Sequence, residues 1–133
     1  MTEQGGVSYM DGILRISLMG GQARAFLVES THTVEHARRV HHLSHTATAA
    51  LGRTLTATAV LGAMLKGENE SVTCRIDGGG PLGLVLAVGD SSGNVKGLVA
   101  HPEVDPPRNG EKLNVGAAVG RDGMLTVVKD MRM

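Results

Sequence analysis

The sequence is poor in aromatic residues and has no excess of charge of either sign. Its 133 residues include one phenylalanine, one tyrosine and no tryptophan, and 13 basic side chains are balanced by 13 acidic ones. Proteins that hold single-stranded nucleic acids use aromatic side chains as stacking platforms, and phosphate binding requires a basic surface. The composition therefore argues against a nucleic-acid or other polyanionic partner.

Cysteine is nearly absent as well, and so is any long uninterrupted apolar segment. Cys74 is the only thiol, which excludes an internal disulfide and a multi-cysteine metal site made by this chain. The first residues lack a basic segment followed by an apolar one, so no secretory signal is predicted. The longest apolar stretch contains Arg53, and a charged residue at its centre disfavours a membrane span. We predict a single, cytoplasmic domain that does not associate with membranes.

The same apolar stretch is the element around which the rest of the chain is organised. It is rich in alanine and leucine and free of proline. This predicts a helix over residues 46–66 that is capped by Ser44 or Thr46 and closed at Gly67. Small or apolar residues occupy almost every face, which is typical of a buried helix. Gly62 costs about 1 kcal/mol relative to alanine inside a helix, so we expect another segment to pass close to it.

The remaining segments predict strands and one further helix. Alternating residues predict a β-hairpin over residues 13–28 with a two-residue turn at Gly20–Gly21, and helical spacing predicts a second helix over residues 32–42. Glycine-punctuated strands follow over residues 70–98, then a proline-rich loop and a last strand over residues 124–129. The predicted fold class is α+β, a mainly antiparallel sheet packed with a long central helix and a shorter helix.

Two histidine pairs are candidates for metal ligands. His32/His36 and His41/His45 have the i, i+4 spacing that places two imidazoles on one face of a helix, an arrangement that suits zinc. The second pair straddles the break between the two predicted helices, and no acidic residue is placed to complete either pair. We therefore interpret these histidines as ordinary helix and loop residues.

A catalytic or anion-binding site is also unsupported by the residue pattern. The GGGP loop, Gly78–Pro81, is rich in backbone N–H groups, but it lacks the Gly-Lys-Ser/Thr ending of phosphate-binding loops. Cys74 alternates with apolar neighbours, so we expect it to be buried and unreactive. We predict no enzyme activity, and a small-ligand or anion-binding domain that uses the GGGP loop and His101 is the weakest hypothesis.

Several short segments, taken together and in order, resemble one protein family. The segments are AALGRTLTA, LGAMLKG, DGGGPLG and LTVVKD, and the resemblance covers essentially the whole chain. It is to the amino-terminal part of the core domain of the redox-regulated bacterial heat-shock protein of thirty-three kilodaltons. The resemblance implies an ATP-independent holdase chaperone that binds unfolded proteins under oxidative stress. It also implies a carboxy-terminal module in which four cysteines hold zinc.

The resemblance further implies that residues 1–133 are a truncated amino-terminal core domain without the linker and the zinc-binding module. Cys74 matches none of the switch cysteines, so we expect no zinc, no other cofactor and no redox switch in this chain. Unpaired strand edges predict a homodimer or a strand-exchanged oligomer. An inactive structural fragment is the alternative to a holdase.

We predict that the residues that contact client proteins, or a second copy of the chain, lie on two apolar strand segments. The candidates are Phe26, Leu27, Val28, Leu84, Leu86 and Val88.

Overall fold

The computed structural model of the chain describes residues 10–132. Its strands are β1 (Gly12–Leu18), β2 (Ala23–Glu29), β3 (Ser71–Asp77), β4 (Val85–Asp90), β5 (Val95–Val99) and β6 (Met124–Asp130). Its helices are α1 (Thr31–His41), α2 (His45–Ala63) and the short α3 (Val115–Val119). The predicted α+β class, with its long and its shorter helix, is confirmed.

The strands form two antiparallel sheets rather than one. The hairpin of β1 and β2 stands by itself, and the other strands form a four-stranded sheet in the order β5-β4-β3-β6. Helix α2 covers one face of the larger sheet. Its Leu51 and Leu55 are 0% and 1% exposed, and they belong to the same buried cluster as Val85 and Ala87 of β4.

Small residues allow this helix and strand to approach closely. A Cβ atom added at Gly62 would lie 2.4 Å from the backbone carbonyl oxygen of Asp90, and one at Gly89 would lie 3.0 Å from that of Thr58. Real Cβ atoms do not approach a carbonyl oxygen as closely as 2.4 Å. The prediction that another segment passes next to Gly62 is confirmed, and that segment is the end of β4.

The threonines of α2 are compatible with its buried position because the helix itself satisfies their hydroxyls. Thr54 donates to the carbonyl oxygen of Ala50 at 2.8 Å, and Thr58 donates to that of Thr54 at 2.7 Å. Such bonds to the preceding turn meet the requirement that a buried hydroxyl has a partner.

Two details of the predicted central helix were wrong. The helix ends at Ala63 and not at residue 66, since Met64 and Leu65 donate to Leu61 and Gly62 in a tighter final turn, with N–O distances of 3.2 and 3.0 Å. The helix is also not covered all round, because Arg53 and Ala57 are exposed. The second difference arises because the sheet and α1 leave one stripe of α2 without a neighbour.

The start of α2 is held by the proline-rich loop. The hydroxyl of Ser44 accepts from the N–H of Ala47 at 3.0 Å and donates to the carbonyl oxygen of Val104 at 2.6 Å, which confirms Ser44 as the cap. Thr46 instead donates to the carboxylate of Asp105. This hydrogen bond lowers the pKa of Asp105 below its ordinary value.

Helix α1 contains no fully buried residue, and its first turn is held by polar contacts. Ser30 makes no capping bond with its side chain; the carboxylate of Asp11 accepts from the N–H groups of His32 and Thr33 at 3.1 and 2.6 Å. Burial by itself raises the pKa of Asp11. These bonds and one from the Thr33 hydroxyl have the larger, opposite effect, so the pKa lies below its ordinary value. A residue 21 positions upstream therefore caps the helix.

The hairpin turn is longer than predicted. Leu18 pairs directly with Ala23, so the connection has four residues, Met19–Gln22, and includes a turn of 3₁₀ helix. Gly20 and Gly21 do have positive φ angles, of +65° and +89°, as the Gly-Gly sequence indicates.

Candidate functional site

The hairpin presents one face on which six apolar side chains lie together, and the pair Gly12–Glu29 follows them at the open end of the same face. Residues that pair across an antiparallel hairpin lie on the same face, and Leu14 pairs with Leu27, Ile16 with Ala25, and Leu18 with Ala23. Leu14 and Leu27 are 58% and 59% exposed. We call this surface the hairpin outer face; its members are Leu14, Ile16, Leu18, Ala23, Ala25 and Leu27.

The opposite face of the hairpin is turned towards α2. Val28 lines a cavity whose other wall includes Ala59 and Ala63 of α2, and Phe26 lines another beside Ala63. The guanidinium carbon of Arg24 lies 5.9 Å from the centre of the Phe26 ring, within the range of a cation–π contact. Of the three consecutive hairpin residues predicted as a surface, only Leu27 therefore points to the uncovered side.

The other predicted residues lie on the face of the four-stranded sheet that α2 does not cover. Leu84, Leu86 and Val88 are half-buried there, and Leu86 pairs with Leu98 of β5. On the other side of β4, however, Leu86 pairs with Arg75 and Val88 with Thr73. These polar residues of β3 separate the apolar residues of β4 from those of β6, so this face is not one continuous apolar surface.

Strand β6 is an edge of the sheet with apolar side chains on both of its faces. Leu125 and Val127 alternate with Met124 and Val128, and all four are at least 50% exposed. The other edge of the sheet is β5. The predicted free strand edges are thus present among residues 10–132, and they offer unpaired backbone groups to another chain.

The predicted surface residues do not form a single site. Leu27 belongs to the two-stranded sheet, whereas Leu84, Leu86 and Val88 project from the far side of the larger sheet. Sequence analysis missed Leu14 and Leu18, although the register of the predicted hairpin would have placed Leu14 opposite Leu27. It also missed the exposed residues of β6, because alternation does not reveal which faces remain uncovered.

The GGGP loop hydrogen-bonds to the chain's own backbone. The N–H of Gly80 donates to the carbonyl oxygen of Val119 at 3.0 Å, and that of Leu82 donates to Ala118 at 2.9 Å. A Cβ atom at Gly80 would lie 2.4 Å from the carbonyl oxygen of Ala118. These glycines therefore permit the loop to pack against α3, which favours the tight-turn interpretation over an anion site.

The histidines and the cysteine form no reactive cluster within residues 10–132. No group of three His, Cys, Asp or Glu side chains is placed to hold a metal ion in that part of the chain. His41 and His45 belong to different helices, separated by His42 with a φ angle of 52°. Cys74 is buried in β3, as predicted.

Comparison with known proteins identifies the family. The family described as "Hsp33 protein" matches residues 11–133. The chain belongs to the Hsp33 family. The family expected from the sequence segments is thus confirmed.

Two curated Hsp33 relatives and one solved structure show how much of the family this chain represents. The chain is 54% identical to the 33 kDa chaperonin of Alkaliphilus metalliredigens and 50% identical to that of Clostridioides difficile; each match covers 91% of this chain and 42% of the relative. The crystal structure of the 33 kDa chaperonin (Hsp33) from Thermotoga maritima has a TM-score of 0.85, with 37% identity over 91% of this chain and 41% of that one. The chain therefore spans less than half the length of these relatives.

In this Hsp33-family chain, no helix among residues 10–132 has the length and apolar character that a bilayer crossing demands.

Proposed function

We propose that the chain is a chaperone segment that binds unfolded client proteins without ATP and keeps them from aggregating. The observation that carries this proposal is the hairpin outer face, on which six apolar side chains adjoin and Glu29 lies only at the margin. Exposed apolar patches mark protein-interaction sites, and the relatives are named chaperonins. Leu84, Leu86 and Val88 provide a second, less continuous contact area, and Phe26 and Val28 support the hairpin from behind.

We also propose a cytoplasmic location, no enzymatic role and, for the full-length family, redox regulation through a zinc module of four cysteines; Cys74 is the single cysteine of this sequence. Residues 10–132 support the absence of a metal in this segment, because they bring no three candidate ligands together. Buried Cys74 is likewise unsuited to a redox switch, since reactive thiols require exposure.

The test is suppression of thermal aggregation of a client enzyme, followed by light scattering without nucleotide. The wild-type chain at several-fold excess should lower scattering. A Leu14→Ser/Leu27→Ser variant should bind clients about fivefold more weakly, since losing ~1 kcal/mol of apolar contact changes an equilibrium constant by that factor. The control is Ala57→Ser on the exposed stripe of α2, which should act like wild type. No suppression by the wild-type chain would favour the inactive-fragment alternative.

The chain is further proposed to form a homodimer or a strand-exchanged oligomer through a free strand edge. The support is β6, an edge strand with exposed apolar residues on both faces, because such edges pair with other chains. Size-exclusion chromatography with light scattering should give a mass above the 13.8 kDa of one chain. A Val127→Lys variant should shift the equilibrium to the monomer, since an inserted charge blunts an edge. A compact monomer at all concentrations would contradict this proposal.

A further inference from the structure

The outer edge of β5 has backbone groups that face away from the sheet. Asp90 donates to the carbonyl oxygen of Asn94 at 3.1 Å, and Ala100 donates to that of Leu84 at 2.9 Å. Bonded and non-bonded pairs alternate along an antiparallel ladder. The residues whose N–H and C=O groups point away from β4 are therefore Val95, Gly97 and Val99. Within residues 10–132 no other group bonds to them.

A groove of about 850 Å³ runs beside this edge, with α1 as its other wall. Leu55 of α2 lines its floor, and Ala37 and Val40 line it from α1. Val40 is 56% exposed and Met10, at one end, is 82% exposed. A free strand edge next to an apolar helix face is the arrangement that accepts an added strand, with backbone bonds for affinity and side-chain pockets for selectivity.

The charges of the groove favour an acidic occupant. Lys96 lines it and forms no ion pair within residues 10–132. The only carboxylate in the lining belongs to Asp11, and it is engaged by the N–H groups of α1. The imidazoles of His36 and His41, which also line the groove, supply N–H donors for carboxylate or carbonyl oxygens.

We infer that this groove binds an extended, apolar client segment with an acidic residue at its end, which adds to β5 as a further strand. The inference rests on the proposed chaperone function and gives it a specific site that is separate from the hairpin outer face. Strand addition reads backbone groups rather than a particular sequence, so one groove accepts many unfolded clients.

The first test uses a fluorescein-labelled peptide of alternating valine and threonine with glutamate at both ends, and fluorescence anisotropy. Val95→Pro removes an outward-facing N–H at the first residue of β5, where a strand tolerates proline. Val95→Ala truncates the same side chain but keeps the N–H. We expect the proline variant to bind the peptide about fivefold more weakly than the alanine variant, as the loss of one backbone bond predicts.

The second test exchanges charges and holds even if the proline variant does not fold. Lys96→Glu, on the exposed side of the strand, should bind the glutamate-ended peptide about threefold more weakly, in the range of an exposed ion pair. It should bind a lysine-ended peptide correspondingly more tightly. If Lys96 has only a structural role, Lys96→Glu should weaken the binding of both peptides alike, and that result would overturn the proposal.

The outcomes separate this inference from the proposed function. If Val95→Pro and Val95→Ala bind the peptide with equal affinity, the proposed binding in the groove is overturned, even if the chain still suppresses client aggregation. Peptide binding that depends on Val95 and Lys96 supports the groove, even if aggregation is not suppressed. If Val95→Pro abolishes self-association and the wild-type dimer excludes the peptide, the occupant is a second copy of the chain, and the proposal fails.

Discussion

Replacing Gly62 with alanine is expected to destabilise the chain by about 1–2 kcal/mol, although alanine is the better helix former. The added Cβ would lie 2.4 Å from the carbonyl oxygen of Asp90, which is a backbone atom and not the movable end of a side chain. Helix and strand must therefore separate, and overpacking of this kind costs ~1–3 kcal/mol or more. That cost exceeds the gain of about 1 kcal/mol in helix propensity. Urea denaturation followed by circular dichroism measures the difference.

The matched control is Ala57→Gly in the same helix. Ala57 is exposed, so only helix propensity changes there, and glycine should lower the free energy of unfolding by about 1 kcal/mol. Glycine should thus be worse than alanine at position 57 and better at position 62. If Gly62→Ala is as stable as wild type or more stable, β4 does not approach α2 as described.

Leu51→Ala is expected to lower the free energy of unfolding by about 3–4 kcal/mol, the largest effect of any single substitution proposed for this chain. Leu51 is 0% exposed, and it lies with Leu55 and Val85 in the central cluster. Truncation removes buried apolar surface and leaves a cavity that the surrounding residues fill only in part, so leucine-to-alanine changes in cores cost ~2–5 kcal/mol. For a domain of this size that is a large fraction of the total stability.

The same substitution at Leu27 serves as its control. Leu27 is 59% exposed on the hairpin outer face, and its replacement by alanine should change the free energy of unfolding by less than about 1 kcal/mol. Chemical denaturation of both variants side by side tests the assignment of core and surface. Similar losses for the two variants would mean that the hairpin outer face is packed rather than open.

Leu51 and Leu27 represent two sets of apolar residues, one that stabilises the fold and one that carries the proposed function. The apolar residues of α2 and of the inner sheet face are buried against each other, whereas those of the hairpin outer face and β6 are uncovered. The hairpin turns its other face towards α2, so the leucines of its outer face, which remain exposed, are available to a client or another copy of the chain.

Sequence reasoning predicted the elements well because their signals are local. The period of apolar residues predicted α1, α2 and the hairpin, and the residue types limited the cap of α2 to Ser44 or Thr46, of which the structure has Ser44. Gly62 was the most informative single residue, since its cost in a helix interior implied a close neighbour. Where the predictions failed, as at the end of α2 and in the hairpin turn, the outcome depended on competing local bonds.

By itself, the sequence determined the α+β class, the membership of the Hsp33 family and the presence of a central helix, because these follow from periodicity and from ordered segments. Only the tertiary structure decided which apolar side chains are covered, that the sheet divides in two, and that Asp11 caps α1 from 21 residues away. Alternation in a strand places residues on two faces, but it does not say which face meets another element. That choice is made by long-range packing, which brings together segments with no relation along the chain.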